Sequence, residues 1–158
     1  MAGSREIERR KVEVFQVEIT TFCHATEDCL RVEHAIKNLL PQELRNAINI
    51  SVDSQEGYYG NPINILSTKI TLKNHIDALL KHLSTTLPQI EKSILKTTFD
   101  LRFDPSTRRF IIRFSKQDLY LGTLKISDTD DVVKLAMFFK NAKRRNDVLE
   151  YLASIGLI

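Results

Sequence analysis

The sequence predicts an α+β domain, a mainly antiparallel sheet with helices packed on one face. Three observations lead there. The hydrophobic period switches repeatedly between two residues and about 3.6. The late strand-like stretches are joined by short turns, as in an antiparallel meander, rather than by crossover helices. No internal repeat and no long linker divides the chain. With 158 residues, 42% of them hydrophobic, it can bury a core of its own.

The elements follow in order. Val12 to Phe22 reads as a strand, with Phe15, Val17 and Ile19 alternating with Gln16, Glu18 and Thr20. A helix is expected from Thr26 as N-cap, with Glu27 and Asp28 against the positive end of its dipole. Cys29, Val32, Ile36, Leu39 and Leu40 form its apolar stripe, and Glu33 and Lys37 make an i,i+4 pair; Pro41 ends it or starts a short successor through Gln42 to Ala47. Ile48 to Val52 and Ile63 to Leu72 are strands joined through Gly57, Gly60, Asn61 and Pro62, residues suited to turns. Lys73 to Thr85 is a helix on Ile76, Leu79, Leu80 and Leu83, and Pro88 starts another in which Ile90, Ile94 and Leu95 face inward.

Strands return at Arg109 to Ser115, with Phe110, Ile112 and Phe114 on one face, at Tyr120 to Ile126, and at Val132 to Phe139. The acidic turn Ser127 to Asp131 separates the last two. Asn146 caps a final helix that runs to Ile155 and stops at Gly156.

Charge is unevenly placed. The chain carries 23 basic and 20 acidic residues, a net charge of +3. Residues 1–56 hold 7 basic and 10 acidic side chains, residues 57–126 hold 11 and 5, and residues 127–158 hold 5 of each. A near-neutral average therefore hides a basic middle, which suits an anionic partner if the fold gathers it on one face. No apolar run is long enough for a membrane span, and residues 1–11 lack the apolar stretch of a secretory signal. Two cysteines cannot build a disulfide framework, so a reducing cytoplasm is expected.

Catalytic and metal signatures are sparse. There is no phosphate-binding glycine loop and no nucleophile elbow. Cys23 and His24 are adjacent, hence on opposite faces of a strand, which makes Cys23 a structural thiol rather than a nucleophile. Cys23, His24, Cys29 and His34 lack the spacing of a zinc site. A hydrolytic reading would need His24, Asp28 and Lys116 or Gln117 to meet in one cleft.

Two clusters suit nucleic acid better. Tyr58 and Tyr59 occupy a turn tip beside Asn61, where rings can stack on unpaired bases and the amide can reach a base edge. Arg109 and Arg113 share one side of a strand about 13 Å apart, about two nucleotide steps of an extended strand and a spacing suited to backbone phosphates. Lys116, Gln117 and Tyr120 follow at the expected turn, free to contact a ligand. The run Lys140, Lys143, Arg144 and Arg145 is auxiliary.

Three segments carry a resemblance: His24-Ala25-Thr26-Glu27-Asp28, Glu56 to Ile63, and Phe114-Ser115-Lys116-Gln117-Asp118-Leu119-Tyr120-Leu121-Gly122. In order and spacing they resemble an archaeal family of predicted RNA-binding proteins, or predicted exosome subunits, and Asp130-Asp131-Val132-Val133 resembles the family's approach to its last strand. The chain departs from the pattern at Tyr58, at Ser115 and at Lys134-Leu135-Ala136. The resemblance spans Val12 to Phe139. It implies a fold similar to the large-subunit ribosomal protein that holds 5S ribosomal RNA, and partners among RNA, exosome or ribosomal components.

The sequence is thus expected to comprise a flexible N-terminus (1–11), an α+β RNA-binding-like domain (12–139) and a C-terminal basic segment with a helix (140–158). The expected activity is non-catalytic RNA binding, with neither cofactor nor metal and no membrane association, and exposed sheet edges allow a homodimer. A protein-interaction adaptor of an RNA-processing or ribosomal assembly is the alternative, with the tyrosines as interface anchors.

Overall fold

A computed structural model describes residues 10–57 and 59–158. Six strands form one sheet: β1 (Glu13–His24), β2 (Ser51–Glu56), β3 (Pro62–Ile70), β4 (Phe103–Asp104), β5 (Arg109–Ser115) and β6 (Val132–Lys140). Their order is β2-β3-β1-β6-β5-β4, and every pairing is antiparallel. The longest strand, β1, thus lies between β3 and β6 near the middle of the sheet.

Alternation decides which face is covered. Val17, Ile19 and Cys23 of β1, Leu66 and Ile70 of β3, Phe110, Ile112 and Phe114 of β5, and Val133, Leu135, Met137 and Phe139 of β6 are all buried. Onto them pack α1 (Cys29–Leu39) through Val32, Ile36 and Leu39, α2 (Lys73–Thr86) through Ile76, Leu79, Leu80 and Leu83, α3 (Gln89–Thr97) through Leu95, and, beyond the short α4 (Phe99–Arg102), α6 (Arg145–Ser154) through Val148 and Leu152. Burying a side chain of this kind contributes about 1.5–3 kcal/mol. The sheet's opposite face carries no helix.

Six local expectations need correcting. The strand expected at Ile48 to Val52 lies later, as β2 over Ser51–Glu56, and takes up part of the expected connection. Phe15 does not face the core. Val14 pairs with Phe139 and Gln16 with Phe138, so Phe15 is the extra residue of a β-bulge; it stays 44% exposed, its ring edge-on to Phe138. The first helix starts later, capped by Asp28, whose carboxylate accepts the Leu30 N–H at 3.0 Å, which leaves Glu27 outside the helix. In α3 the inward positions include Glu91, while Ile90 is exposed; the Glu91 carboxylate accepts the Ile126 N–H at 3.0 Å. The final helix is capped by Arg144 rather than Asn146, with the Asp147 carboxylate accepting the backbone N–H groups of Lys143 and Arg144.

The largest correction is Tyr120 to Ile126, which is not a strand. Ser115 caps a short helix α5 (Lys116–Tyr120), Leu119 turns inward, and Gly122 takes φ +87°. Leu124 and Ile126 do reach the core, but among the described residues the segment is paired to the sheet at the Phe114–Ile126 bridge, flanked by the hydrogen bonds of Ser115 N–H to Lys125 and Ser127 N–H to Arg113. No three-strand meander forms; β5 and β6 pair directly across this long connection.

Candidate nucleic-acid interface

The three segments that carry the resemblance converge at one end of the sheet. His24 at the end of β1 pairs with Ile63, just beyond the β2–β3 turn, and Ser115 at the end of β5 pairs with Val132 at the start of β6. The Thr21 hydroxyl donates to the Val132 carbonyl at 2.8 Å and closes the gap between β1 and β6 there.

Lys116 is the node of this end, and not the free side chain expected of a turn. It is 5% exposed. Its Nζ donates to the Phe22 carbonyl at 2.7 Å, lies 3.2 Å from both Glu27 carboxylate oxygens, and pairs with Asp131 at 3.0 Å. One ammonium thereby joins β1, the β1–α1 connection and the approach to β6, using all its donors. Gln117, also expected to be free, donates to Asp131 at 3.2 Å. Asp128 of the same acidic turn pairs with the buried Arg102 at 3.3 Å. Two cations of the basic middle are therefore neutralised inside the fold.

Cys23 and Cys29 form a disulfide, against the expectation of a structural thiol. The strand's inward face and the helix's apolar stripe meet here because residues 24–28 turn the chain back on itself. The expectation of a reducing compartment rested on two cysteines being too few for a disulfide framework, and their pairing weakens it. Among the described residues, no helix is long and apolar enough to cross a membrane.

Between α1 and α5 lies a cleft of about 530 Å³, lined by Glu27, Asp28, Arg31, Ala35, Gln117 and Tyr120 among others. Asn38 holds its walls together by donating to the carbonyls of Leu119 (2.8 Å) and Tyr120 (3.2 Å). Tyr120 is 38% exposed, with Arg31 over its ring and His34 edge-on to it. Asp28, Lys116 and Gln117 do line this cleft, but His24 does not. A general base at His24 therefore has no place in it.

The β2–β3 turn projects beyond the sheet. Gly57 N–H donates to Asn61 O at 2.6 Å and Gly60 N–H to Gly57 O at 3.0 Å. Gly60 has φ +77°, and a Cβ on Gly57 would meet Ile63 at 2.8 Å, so both glycines are required by the turn. Tyr59 is 87% exposed and Asn61 is exposed beside it, while Tyr58 lies outside the described residues.

Arg109 and Arg113 both stand on the uncovered face, as the alternation predicts. Arg109 is held by Thr107 (3.0 Å), by Asp104 (3.8 Å) and against the Phe138 ring. Arg113 differs: among the described residues its guanidinium has neither an ion pair nor a hydrogen bond. Lys134 stands directly opposite it on β6, and sequence reasoning missed this residue because strand periodicity gives a face but not a partner.

The fold is thus of the α+β class, one antiparallel sheet covered by helices on one face, with Arg109, Arg113 and Lys134 on the other. A family described as RNA binding matches residues 16–139. The chain is 34% identical over 131 residues to "RNA-binding protein PAB1135" of Pyrococcus abyssi, a match covering 82% of this chain and 84% of that one. It is 31% identical over 125 residues to the uncharacterized protein MJ0213 of Methanocaldococcus jannaschii (78% and 83% covered). The crystal structure of protein AF2318 from Archaeglobus fulgidus superposes with a TM-score of 0.78 at 26% identity, covering 90% of this chain and 99% of that one. The chain belongs to this RNA-binding family.

Proposed function

We propose that this protein binds RNA without catalysing a reaction, through the end of the sheet where the three segments meet. The observation that supports it most directly is Arg113, a cation on an open sheet face with no partner among the described residues, in a chain of an RNA-binding family. Arg113 and Arg109 contact phosphates, Tyr59, Tyr58 and Asn61 contact bases or sugars, and Tyr120 and Gln117 supply the cleft edge. Lys116 acts by position, holding that end rigid. Phosphate contacts dominate affinity, so binding falls linearly on a logarithmic plot as salt rises. The RNA is ribosomal or a processing substrate, and the exosome or ribosome supplies the assembly. A salt titration of labelled RNA tests the reading; affinity insensitive to salt, or undiminished when Arg109→Ala, Arg113→Ala and Tyr59→Ala are combined, defeats it.

One observation favours the adaptor as a second reading. Leu121 and Leu30 are each 75% exposed, and Tyr120 and Leu121 line the α1–α5 cleft, a surface suited to a protein partner. Purification from native extract with and without ribonuclease separates the two: a partner that survives digestion is held by protein contacts.

A further inference from the structure

Strand register places five polar side chains in one line across the open face. Ser51 pairs with Ser67, Ser67 with Thr20, Thr20 with Lys134, and Lys134 with Arg113, so the row crosses β2, β3, β1, β6 and β5. At about 4.8 Å per strand it extends roughly 19 Å. Ser67, Thr20, Lys134 and Arg113 are half-buried and Ser51 is exposed. Among the described residues, none of these five side chains hydrogen-bonds or ion-pairs with any other group.

Two like charges directly opposite on neighbouring strands oppose folding. The nearby pairs show the usual remedy, since Lys69 lies 3.6 Å from Glu18 in the adjacent row and Lys140 pairs with Glu13. Arg113 and Lys134 have no such remedy. Their charge and the three hydroxyls match a chain of phosphates. The row on the other side holds Phe22, 48% exposed, which pairs with Ile65, and ends in Asp53 at the β2 edge.

We propose that this row is the backbone track for a single-stranded RNA segment crossing the sheet, with bases laid on the Phe22–Ile65 row beside it. The inference rests on the RNA-binding reading above and specifies its ligand class. A half-exposed aromatic ring, Phe22, next to a phosphate track suits unpaired bases, because a duplex hides its base faces in stacking and presents only groove edges. The track starts at Arg113 and leads toward the strands that carry the Tyr59 turn.

Fluorescence anisotropy with a labelled 12-nucleotide oligouridine and a 12-base-pair RNA duplex tests this on the full chain. The single strand is expected to bind at least tenfold more tightly. Arg113→Gln with Lys134→Gln should weaken it tenfold or more and lower the salt slope by about two. Phe22→Ala, at an exposed ring, should weaken it several-fold with the salt slope unchanged. Preference for the duplex overturns the track. So does full affinity in these variants when Tyr59→Ala loses binding, a result that leaves the RNA-binding reading standing. Failure of the unaltered protein to bind either RNA at low salt defeats both. A dimer in sedimentation that Phe22→Ala dissociates, without a change in RNA affinity, makes the face an interface between copies and overturns the track.

Discussion

Lys116 and Arg113 stand three residues apart and do opposite things. Lys116, at the end of the sheet, is buried among one carbonyl and two carboxylates; Arg113, on the open face, has none of these and faces a second cation. The first is a cation the fold has used, the second a cation it leaves available. Local sequence treats the two alike, so tertiary pairing, and not residue type, separates a structural charge from a binding one.

Breaking the first member should have the largest effect. Lys116→Met is expected to cost about 3 kcal/mol of stability in urea unfolding, because it removes the cation between Glu27 and Asp131 and the Nζ donor of the Phe22 carbonyl. A loss below about 0.5 kcal/mol would show that the node is dispensable. On the other side of the comparison, Arg113→Gln with Lys134→Gln should leave stability within about 0.5 kcal/mol, or raise it slightly, by removing a like-charge pair. The same double variant should lose at least tenfold in RNA affinity, about 1.4 kcal/mol.

Tyr59→Ala should remove roughly 1 kcal/mol of binding through lost stacking, with thermal unfolding unaltered. The smallest effect is a pH dependence away from both cations. Partial burial, reinforced by Arg45, holds the His82 imidazole below its ordinary value. The unfolded chain then takes up the proton first, so stability is complete above the unfolded value, declines as pH falls through it, and levels off below the folded value. His82→Gln should flatten that decline in denaturant titrations at successive pH. Asp104, lowered to about 2 by hydrogen bonds from Ser106 and Thr107, acts in a separate and more acidic window.

Much of the fold was legible because strands with one buried face announce themselves by alternation. Arg109 to Ser115 and Lys73 onward match their observed elements almost residue for residue. Tyr120 to Ile126 misled for a physical reason: Leu124 and Ile126 are buried at alternate positions, yet they hang from a loop held by side chains far off in sequence, Glu91 and Arg102 among them. The same holds for the site. The Tyr59 turn and the Arg109–Arg113 face were readable from local pattern, whereas the burial of Lys116, the Cys23–Cys29 bond and the Lys134–Arg113 register depend on contacts between distant segments.

The antiparallel pairing of β1 with β6 also dictates an order of assembly. Glu13 meets Lys140 and Thr20 meets Lys134, so on a ribosome β1 must wait for β6, which is made more than a hundred residues later. At 5–20 residues per second that delay is on the order of 10 s, during which one long edge of β1, carrying Val17 and Ile19, has no neighbour. Contacts so distant in sequence also slow folding of the finished chain. Truncation before β6 would leave that edge permanently open, and a nascent chain halted there is the form of this protein most exposed to aggregation.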